Sequence, residues 1–380
     1  MDWTKFSVCF LLTIAPPALL AQEQKAVDVA VASDSACALY KSGEVYCWGD
    51  LPVYEADSLP FEAWKVEGIP PAVSISIGRF GACAISAKGD LWCWGLDLQT
   101  TVRQKATELP SKPFKVAGLP PVKEVDFGYV HQCALGRDDG GLWCWGYNPE
   151  GELGTGDKES RADPEQVNLP RPVETFSTGT NNTCAILTYG EAACWGTDMP
   201  GGGGGIERSI VIGSLVPVFL DIKDVGLFTQ IANGRNFMCA IRKPKRTLFG
   251  TRRGITCWGS NIFRQLGTDH PKLPTPVGGI GDVDRIKGAS DIDATYFQVC
   301  AVEKGEVLCW GHHDSFVAGE GKAPWKQASL TNATRVGIGE NYACAVENGK
   351  VLCWGSRLKD GGDLIEGMDD QTAVPVPGLP

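Results

Sequence analysis

Seven segments of this chain are near-copies of one another, each running from a Cys-Ala pair through a turn to Cys-Trp-Gly. They are "CALYKSGEVYCWG" from Cys37, "CAISAKGDLWCWG" from Cys83, "CALGRDDGGLWCWG" from Cys133, "CAILTYGEAACWG" from Cys184, "CAIRKPKRTLFGTRRGITCWG" from Cys239, "CAVEKGEVLCWG" from Cys300 and "CAVENGKVLCWG" from Cys344. Successive copies start from 44 residues apart (Cys300 to Cys344) to 61 residues apart (Cys239 to Cys300). That period is in the range of propeller blades and far above a coiled-coil or collagen repeat.

Each copy reads as a β-hairpin whose loop is set by its length. Pairing Cys344 with Cys353 leaves Asn348-Gly349 as a two-residue loop, the strongest sequence signal for a type I′ turn, and Lys304-Gly305 does the same between Cys300 and Cys309. Pairing Cys37 with Cys47, Cys83 with Cys93 and Cys184 with Cys194 leaves three-residue loops ending in Gly43, Gly89 and Gly190. Glycine there suits the left-handed position of such a loop. Counting outward from the turn puts the cysteines at non-hydrogen-bonded positions, where Cα atoms approach to ~4.5 Å and a disulfide can close. The same holds for Cys133 with Cys144 and Cys239 with Cys257, giving seven staples. Each closes a short loop and contributes roughly 2–3 kcal/mol in the chain-entropy model. Zinc would favour Cys-x₂-Cys knuckles or Cys/His mixtures and a redox pair would read Cys-x-x-Cys; the hairpins show neither spacing.

Two more strand-like segments recur between hairpins. One is flanked by proline, as in "WKVEGIP" (64–70), "FKVAGLP" (114–120) and "VPVPGLP" (374–380); the other alternates apolar and polar residues before a glycine, as in "AVSISIG" (72–78) and "VKEVDFG" (122–128). "VDVAVAS" (27–33) opens the series with the second type and the C-terminus ends it with the first. The expectation is an all-β fold: a single seven-bladed β-propeller of four-stranded blades over residues 22–380, its ring closed by pairing of the N- and C-terminal strands, which removes open sheet edges.

Residues 1–21, "MDWTKFSVCFLLTIAPPALLA", place a lysine before an apolar run and small residues up to Ala21, the pattern of a signal peptide. The run is too short to span a bilayer comfortably, and "SIVIGSLVPVFL" (209–220), broken by Gly213 and Pro217, reads as a pair of core strands with no membrane span. With Cys9 removed, fourteen cysteines remain, an even number suited to a secreted or periplasmic protein. A formal charge of −10 with both signs interspersed argues against nucleic acid as a partner.

The unit "G-x-x-x-x-C-A-hydrophobic…C-W-G-x-N-x-x-G-Q-L-G", best kept in "WGYNPEGELGTGD" (145–157) and "WGSNIFRQLGTD" (258–269), resembles the repeat of the regulator of chromosome condensation family. That resemblance implies a seven-bladed propeller. Export and disulfides make the chain similar to secreted bacterial propellers of this repeat, such as the propeller-type β-lactamase inhibitory protein, and to the ectodomains of crinkly-type plant receptor kinases. Both comparisons imply a protein-binding surface.

Signs of catalysis are few. There are four histidines; His312-His313 reads as loop, and the Gly201–Gly205 run lacks the Lys-Ser/Thr of a phosphate cradle. No catalytic residue, metal ligand or cofactor is assigned, and no convergent set of carboxylates at matching blade positions is read. Two surfaces are candidates. Aromatics in the turns before Cys-Ala and the loops after Cys-Trp-Gly, namely Phe80, Tyr129, Tyr147, Phe237, Phe263, Tyr296, Phe297, Phe316 and Tyr342, share one face and can anchor a protein partner, or else plug blade junctions. The fifth hairpin carries Arg242, Lys243, Lys245, Arg246, Arg252 and Arg253, a basic tip for an acidic partner or a tolerated insertion. The reading is a secreted or periplasmic, monomeric, non-enzymatic protein-binding propeller, an inhibitor or recognition module. The alternatives are a lyase or glycosidase working in the central channel, and a structural envelope or matrix component.

Overall fold

The computed structural model describes residues 24–49, 51, 62–79, 81–95, 112–197, 214–219, 227–247, 250–252, 254–261, 264–267, 279–283, 286–311, 324–327, 329–340, 342–355 and 372–380. The 1–21 leader, Phe80, Arg253, Phe263, His270, His312, His313, Phe316 and the 201–205 glycine run lie outside them, and the side chains of Lys245, Arg246 and Arg252 are likewise not described. Among the described residues there is no helix, hence none long and apolar enough to cross a membrane. Seven four-stranded antiparallel meanders form the propeller. Blade 1 runs from Ala26 to Lys65, blade 2 from Ala72 to Lys115, blade 3 from Val122 to Gln166, blade 4 from Val173 to Phe219, blade 5 from Phe228 to Asp282, blade 6 from Ala289 to Lys326 and blade 7 from Ala333 to Pro375.

In every blade the glycine-ended alternating segment is the inner strand, the Cys-Ala and Cys-Trp-Gly strands form the middle hairpin, and the proline-flanked segment is a short outer strand. The turn chemistry follows the sequence. Asn348 and Gly349 sit at φ 53° and 81°, Lys304 and Gly305 at 53° and 85°, the left-handed pair of a type I′ turn. Tyr40 N–H donates to the Glu44 carbonyl at 2.9 Å, so Cys37 and Cys47, three rungs further out, fall at a non-hydrogen-bonded pair. All seven cysteine pairs lie directly opposite one another at disulfide distance, with Cα atoms 4.0 to 4.1 Å apart.

Blade 7 meets blade 1 where the N- and C-terminal segments come together. Every blade starts with the inner strand type and ends with the outer one, so the described strands run from the inner strand of blade 1 to the outer strand of blade 7. Among the described residues no sheet contains strands of both blade 1 and blade 7. Closure is one more blade junction: Ala72, Val122, Val173 and Ala333 each donate a backbone N–H to the hairpin glycine of the preceding blade (Gly43, Gly89, Gly140 and Gly305), and Ala26 donates to Gly349 at 2.8 Å in the same way. Ala63 N–H adds a bond to the Pro377 carbonyl.

Tryptophan fills the seams. The seven Cys-Trp-Gly tryptophans are each 3% exposed or less. Trp94 packs with Cys37 and Leu39 of blade 1, Trp354 with Cys300 and Val302 of blade 6, and Trp48 of blade 1 with Val346 of blade 7. The best-kept trailing loops buttress the next seam. Asn148 Oδ1 accepts the Leu153 N–H, Leu153 is buried, and the Glu152 carbonyl accepts Trp195 Nε1–H at 2.8 Å. Asn261, Leu266 and the Gln265 carbonyl repeat this for Trp310. Within the 209–220 segment the described residues, Ser214–Phe219, form an outer strand with Val216 and Phe219 about half exposed, and Pro217 suits such a solvent-facing edge; 209–213 and 220 lie outside the described residues.

Candidate functional site

The inner strands surround a central cavity of about 620 Å³ to which all seven blades contribute. Each inner strand carries a register shift against its neighbour at the same place, as between Ala26 and Asp28, Ala72 and Ser74, or Ala289 and Asp291. Such bulges re-aim the following side chain. The residues just past them, Asp28, Ser74, Glu124, Thr175, Gln230, Asp291 and Arg335, all line the cavity as a polar ring, with Asp126, Ser177 and Asp293 two residues further along.

This ring answers a physical need. An inner strand is a sheet edge, and its unpaired N–H groups must find acceptors away from bulk water. Asp126 Oδ2 accepts the Thr178 N–H at 2.8 Å, Asp291 Oδ2 that of Val336 at 2.8 Å, and Asp293 Oδ2 that of Ile338 at 2.9 Å. Ser177 Oγ does the same for Asn233. In each case one blade caps the edge of the next. Thr175 Oγ1–H donates to Glu124 and Gln230 Nε2–H to Asp291, binding the ring laterally.

Burial pushes these carboxyls up. Glu124 and Asp293 rise to about 7 and Asp28 to about 6, chiefly by desolvation, while Asp126 and Asp291 move the same way despite the backbone bonds that oppose it. The convergent carboxylates not read from the sequence therefore exist, on blades 1, 3 and 6. The signal was present in "VDVAVAS", "VKEVDFG" and "ASDIDAT", but becomes legible only when the inner strands are aligned on their bulges. Among the described residues no group of three His, Cys, Asp or Glu is placed to hold a metal ion.

One mouth of the channel carries the aromatic turns. Tyr147 N–H bonds to the Val130 carbonyl and Ser260 N–H to that of Asn236, so the loops after Cys-Trp-Gly and the turns before Cys-Ala do share a face. There Arg79 donates to Tyr129 Oη at 2.6 Å, Ser33 donates to Glu340, and Tyr296, raised to about 12 by burial and then by Glu340, packs edge-on against Phe297. Tyr147 is exposed, and Tyr129, Tyr296 and Phe297 are half-buried. Phe237 and Tyr342 are corrected: both are buried and face blade seams, being the first residue of the Cys-Ala strand, two before its cysteine. The same position in blade 3 holds His131, whose imidazole, bonded to Thr183, burial lowers to about 3.

The fifth tip is a small two-stranded ribbon, Lys245–Thr247 against Gly250–Arg252. Its base is already engaged: Arg242 pairs with Asp282 and donates to Thr256, and Lys243 donates to Glu174 at 2.6 Å. These two are corrected from partner-facing cations to internal ties.

Residues 139–186 match the regulator of chromosome condensation (RCC1) repeat. Over 190 residues the chain is 27% identical to the E3 ubiquitin-protein ligase HERC2 of Homo sapiens, covering 48% of this chain and only 4% of that protein. Yeast RCC1 (Prp20), solved bound to Kap60, superposes with a TM-score of 0.70 at 18% identity, over 88% of this chain and 81% of that one. The receptor kinase CR4 ectodomain of Physcomitrella patens gives 0.52 at 20% identity, over 88% and 74%. At these identities the superpositions show an RCC1-type propeller fold.

Proposed function

We propose that the chain is an exported, disulfide-stapled RCC1-type propeller that binds another protein through the face carrying Arg79, Tyr129, Tyr147 and Tyr296, acting as an inhibitor or recognition module with no chemistry of its own. The observation that carries this reading is the mouth itself: aromatic and charged side chains held on a rigid ring, partly exposed and mutually bonded, which is how interfaces present anchors at low entropic cost. Yeast RCC1 bound to Kap60 supports it by analogy of fold. Seven disulfides suit an oxidising compartment, and resemblance to the propeller-type inhibitory protein extends the same idea.

The test is affinity capture from the source organism's extracellular proteins with three baits: wild type, Tyr129→Ala/Tyr296→Ala, and a chain whose fifth tip is shortened to a two-residue turn. A stoichiometric partner lost only with the double variant is the expected result. The channel carboxyls near 7 favour a second reading, a lyase or glycosidase, since such groups can serve as general acids. Turnover of a glycan panel by wild type, abolished in Glu124→Gln, together with no captured partner, would replace the first reading with the second.

A further inference from the structure

We propose that the hairpin-tip face at the junction of blades 4 and 5 is a second docking surface, formed by Tyr189, Leu227 and the basic fifth ribbon, and that it takes an extended acidic segment of a partner protein.

The fifth hairpin differs from its siblings in length and in charge. Its cysteines are 18 residues apart, against 9 to 11 in the other six. Residues 240–256 hold six of the chain's 35 lysines and arginines and none of its 45 aspartates and glutamates. On a chain of net charge −10 this is a local reversal of sign, and it complements an acidic partner.

The insertion is tied into the fold at its root. Arg242 pairs with Asp282 on the outer strand of its own blade and donates to Thr256 at 2.7 Å, while Lys243 reaches across to Glu174 on the inner strand of blade 4. A loop merely accommodated at an exposed tip needs no such ties. Beyond the root, Lys245 stands opposite Arg252 and Arg246 opposite Thr251 in the ribbon register. Among the described residues the two ribbon strands pair only with each other. An isolated two-stranded ribbon is marginal in water, and an extended chain running along its edge supplies a third strand.

An apolar pair beside the root is an independent observation. The Lys243 N–H donates to the Leu227 carbonyl at 2.7 Å, and Leu227, 43% exposed, packs on Gly190 of the blade 4 tip so closely that a Cβ there would not fit. Next to Gly190 stands Tyr189, at 75% more exposed than any other large apolar side chain among the described residues. Its ring is nevertheless held: the Arg171 guanidinium sits over it, 5.3 Å from the ring centre, and is itself paired with Glu191. An exposed aromatic fixed in one orientation is how a binding surface presents an anchor. Tyr189 and Leu227 beside the cations favour a peptide with apolar side chains among its acids over a nucleic-acid backbone, whose uniform charge offers Leu227 nothing to pack on.

Fluorescence anisotropy of the full mature chain with a labelled peptide of alternating glutamate and valine tests this, at about 0.05 M and about 0.3 M sodium chloride. The labelled lysine–valine peptide is the charge control, and unlabelled oligothymidylate and phosphatidylserine vesicles are the competitors. Saturable one-to-one binding of the glutamate peptide that weakens with salt is expected, with none of the lysine peptide. Arg246→Ser/Arg252→Ser is expected to weaken it about tenfold or more and Tyr189→Ala severalfold, both variants being shown to be folded by circular dichroism. No saturable binding of the glutamate peptide, affinity unchanged in either folded variant, or displacement of the peptide by oligothymidylate or vesicles would overturn the proposal. Self-association in sedimentation velocity that is lost in Arg246→Ser/Arg252→Ser would also overturn it, by making a second copy of the chain the occupant. The tips lie at the opposite end of the strands from the aromatic mouth, so Tyr129→Ala/Tyr296→Ala should leave peptide binding intact, and either reading can fail alone.

Discussion

Asp293 Oδ2 accepts the backbone N–H of Ile338 at 2.9 Å and so ties blade 6 to the open inner edge of blade 7. Its neighbour Asp291 makes the equivalent bond to Val336 two residues earlier. Removing the acceptor strands a buried donor, which costs about 1–3 kcal/mol, whereas an amide keeps an acceptor oxygen in place. Asp293→Ala is therefore expected to destabilise the fold by about that amount and Asp293→Asn by less than half as much, measured by urea unfolding. Equal losses in the two variants would mean the bond does not hold the junction.

What the sequence disclosed depended on range. The hairpins were legible because Asn348-Gly349 and Gly43 dictate turns within a few residues, and the turn fixes the cysteine register by counting. The channel ring was not, because its members differ from blade to blade: Asp28, Ser74, Glu124 and Thr175 occupy one structural position without sharing a chemistry. The aromatic turns show the same limit. Tyr129 stands four residues before Cys133 and reaches the mouth, while Tyr342 stands two before Cys344 and is driven into the seam; both precede a Cys-Ala pair, and only the start of the strand separates them.

Stability should peak under mildly acidic conditions. Glu124 and Asp293 have folded values of about 7 and Asp28 about 6, all above ordinary carboxyl values, so their contribution is full below the unfolded values and is lost as pH rises through 6 to 7. His131 acts oppositely: lowered to about 3 from 6.5, it contributes above 6.5 and loses that contribution as pH falls. Three carboxyls outweigh one imidazole, so the melting temperature is expected to rise between about pH 8 and about pH 5.5. Asp293→Asn combined with Glu124→Gln should flatten that slope. A wild-type melting temperature that is constant or highest at pH 8 would contradict the assignment.

The staples differ in the loop they close. Cys300 and Cys309 are 9 residues apart, Cys239 and Cys257 are 18. Chain-entropy reasoning assigns roughly 2–3 kcal/mol to the shorter and about 0.6 kcal/mol more for each doubling of length. Replacing each pair by alanines and comparing guanidinium midpoints should rank Cys239→Ala/Cys257→Ala as the more costly. Non-reducing peptide mapping of the mature chain should return seven intra-hairpin disulfides; a bridge between different hairpins would contradict the register.

Trp195 and Trp354 occupy the same place in their blades but differ in one bond. Trp195 Nε1–H donates to the Glu152 carbonyl of the preceding blade, whereas Trp354 Nε1 has no acceptor among the described residues. The difference traces to sequence: blade 3 keeps the Asn-x-x-Gly-Glu-Leu-Gly loop, with Asn148 Oδ1 holding Leu153 and so presenting the carbonyl before it. Substituting phenylalanine removes the N–H and part of the ring in both. Trp195→Phe should therefore cost about 1 kcal/mol more than Trp354→Phe in chemical unfolding, that excess being the net worth of one hydrogen bond. Asn148→Ala should reproduce most of the excess without touching the tryptophan, because the loop then loses the acceptor that sets it; if Asn148→Ala is neutral, the loop does not deliver the carbonyl and the repeat keeps its asparagine for another reason.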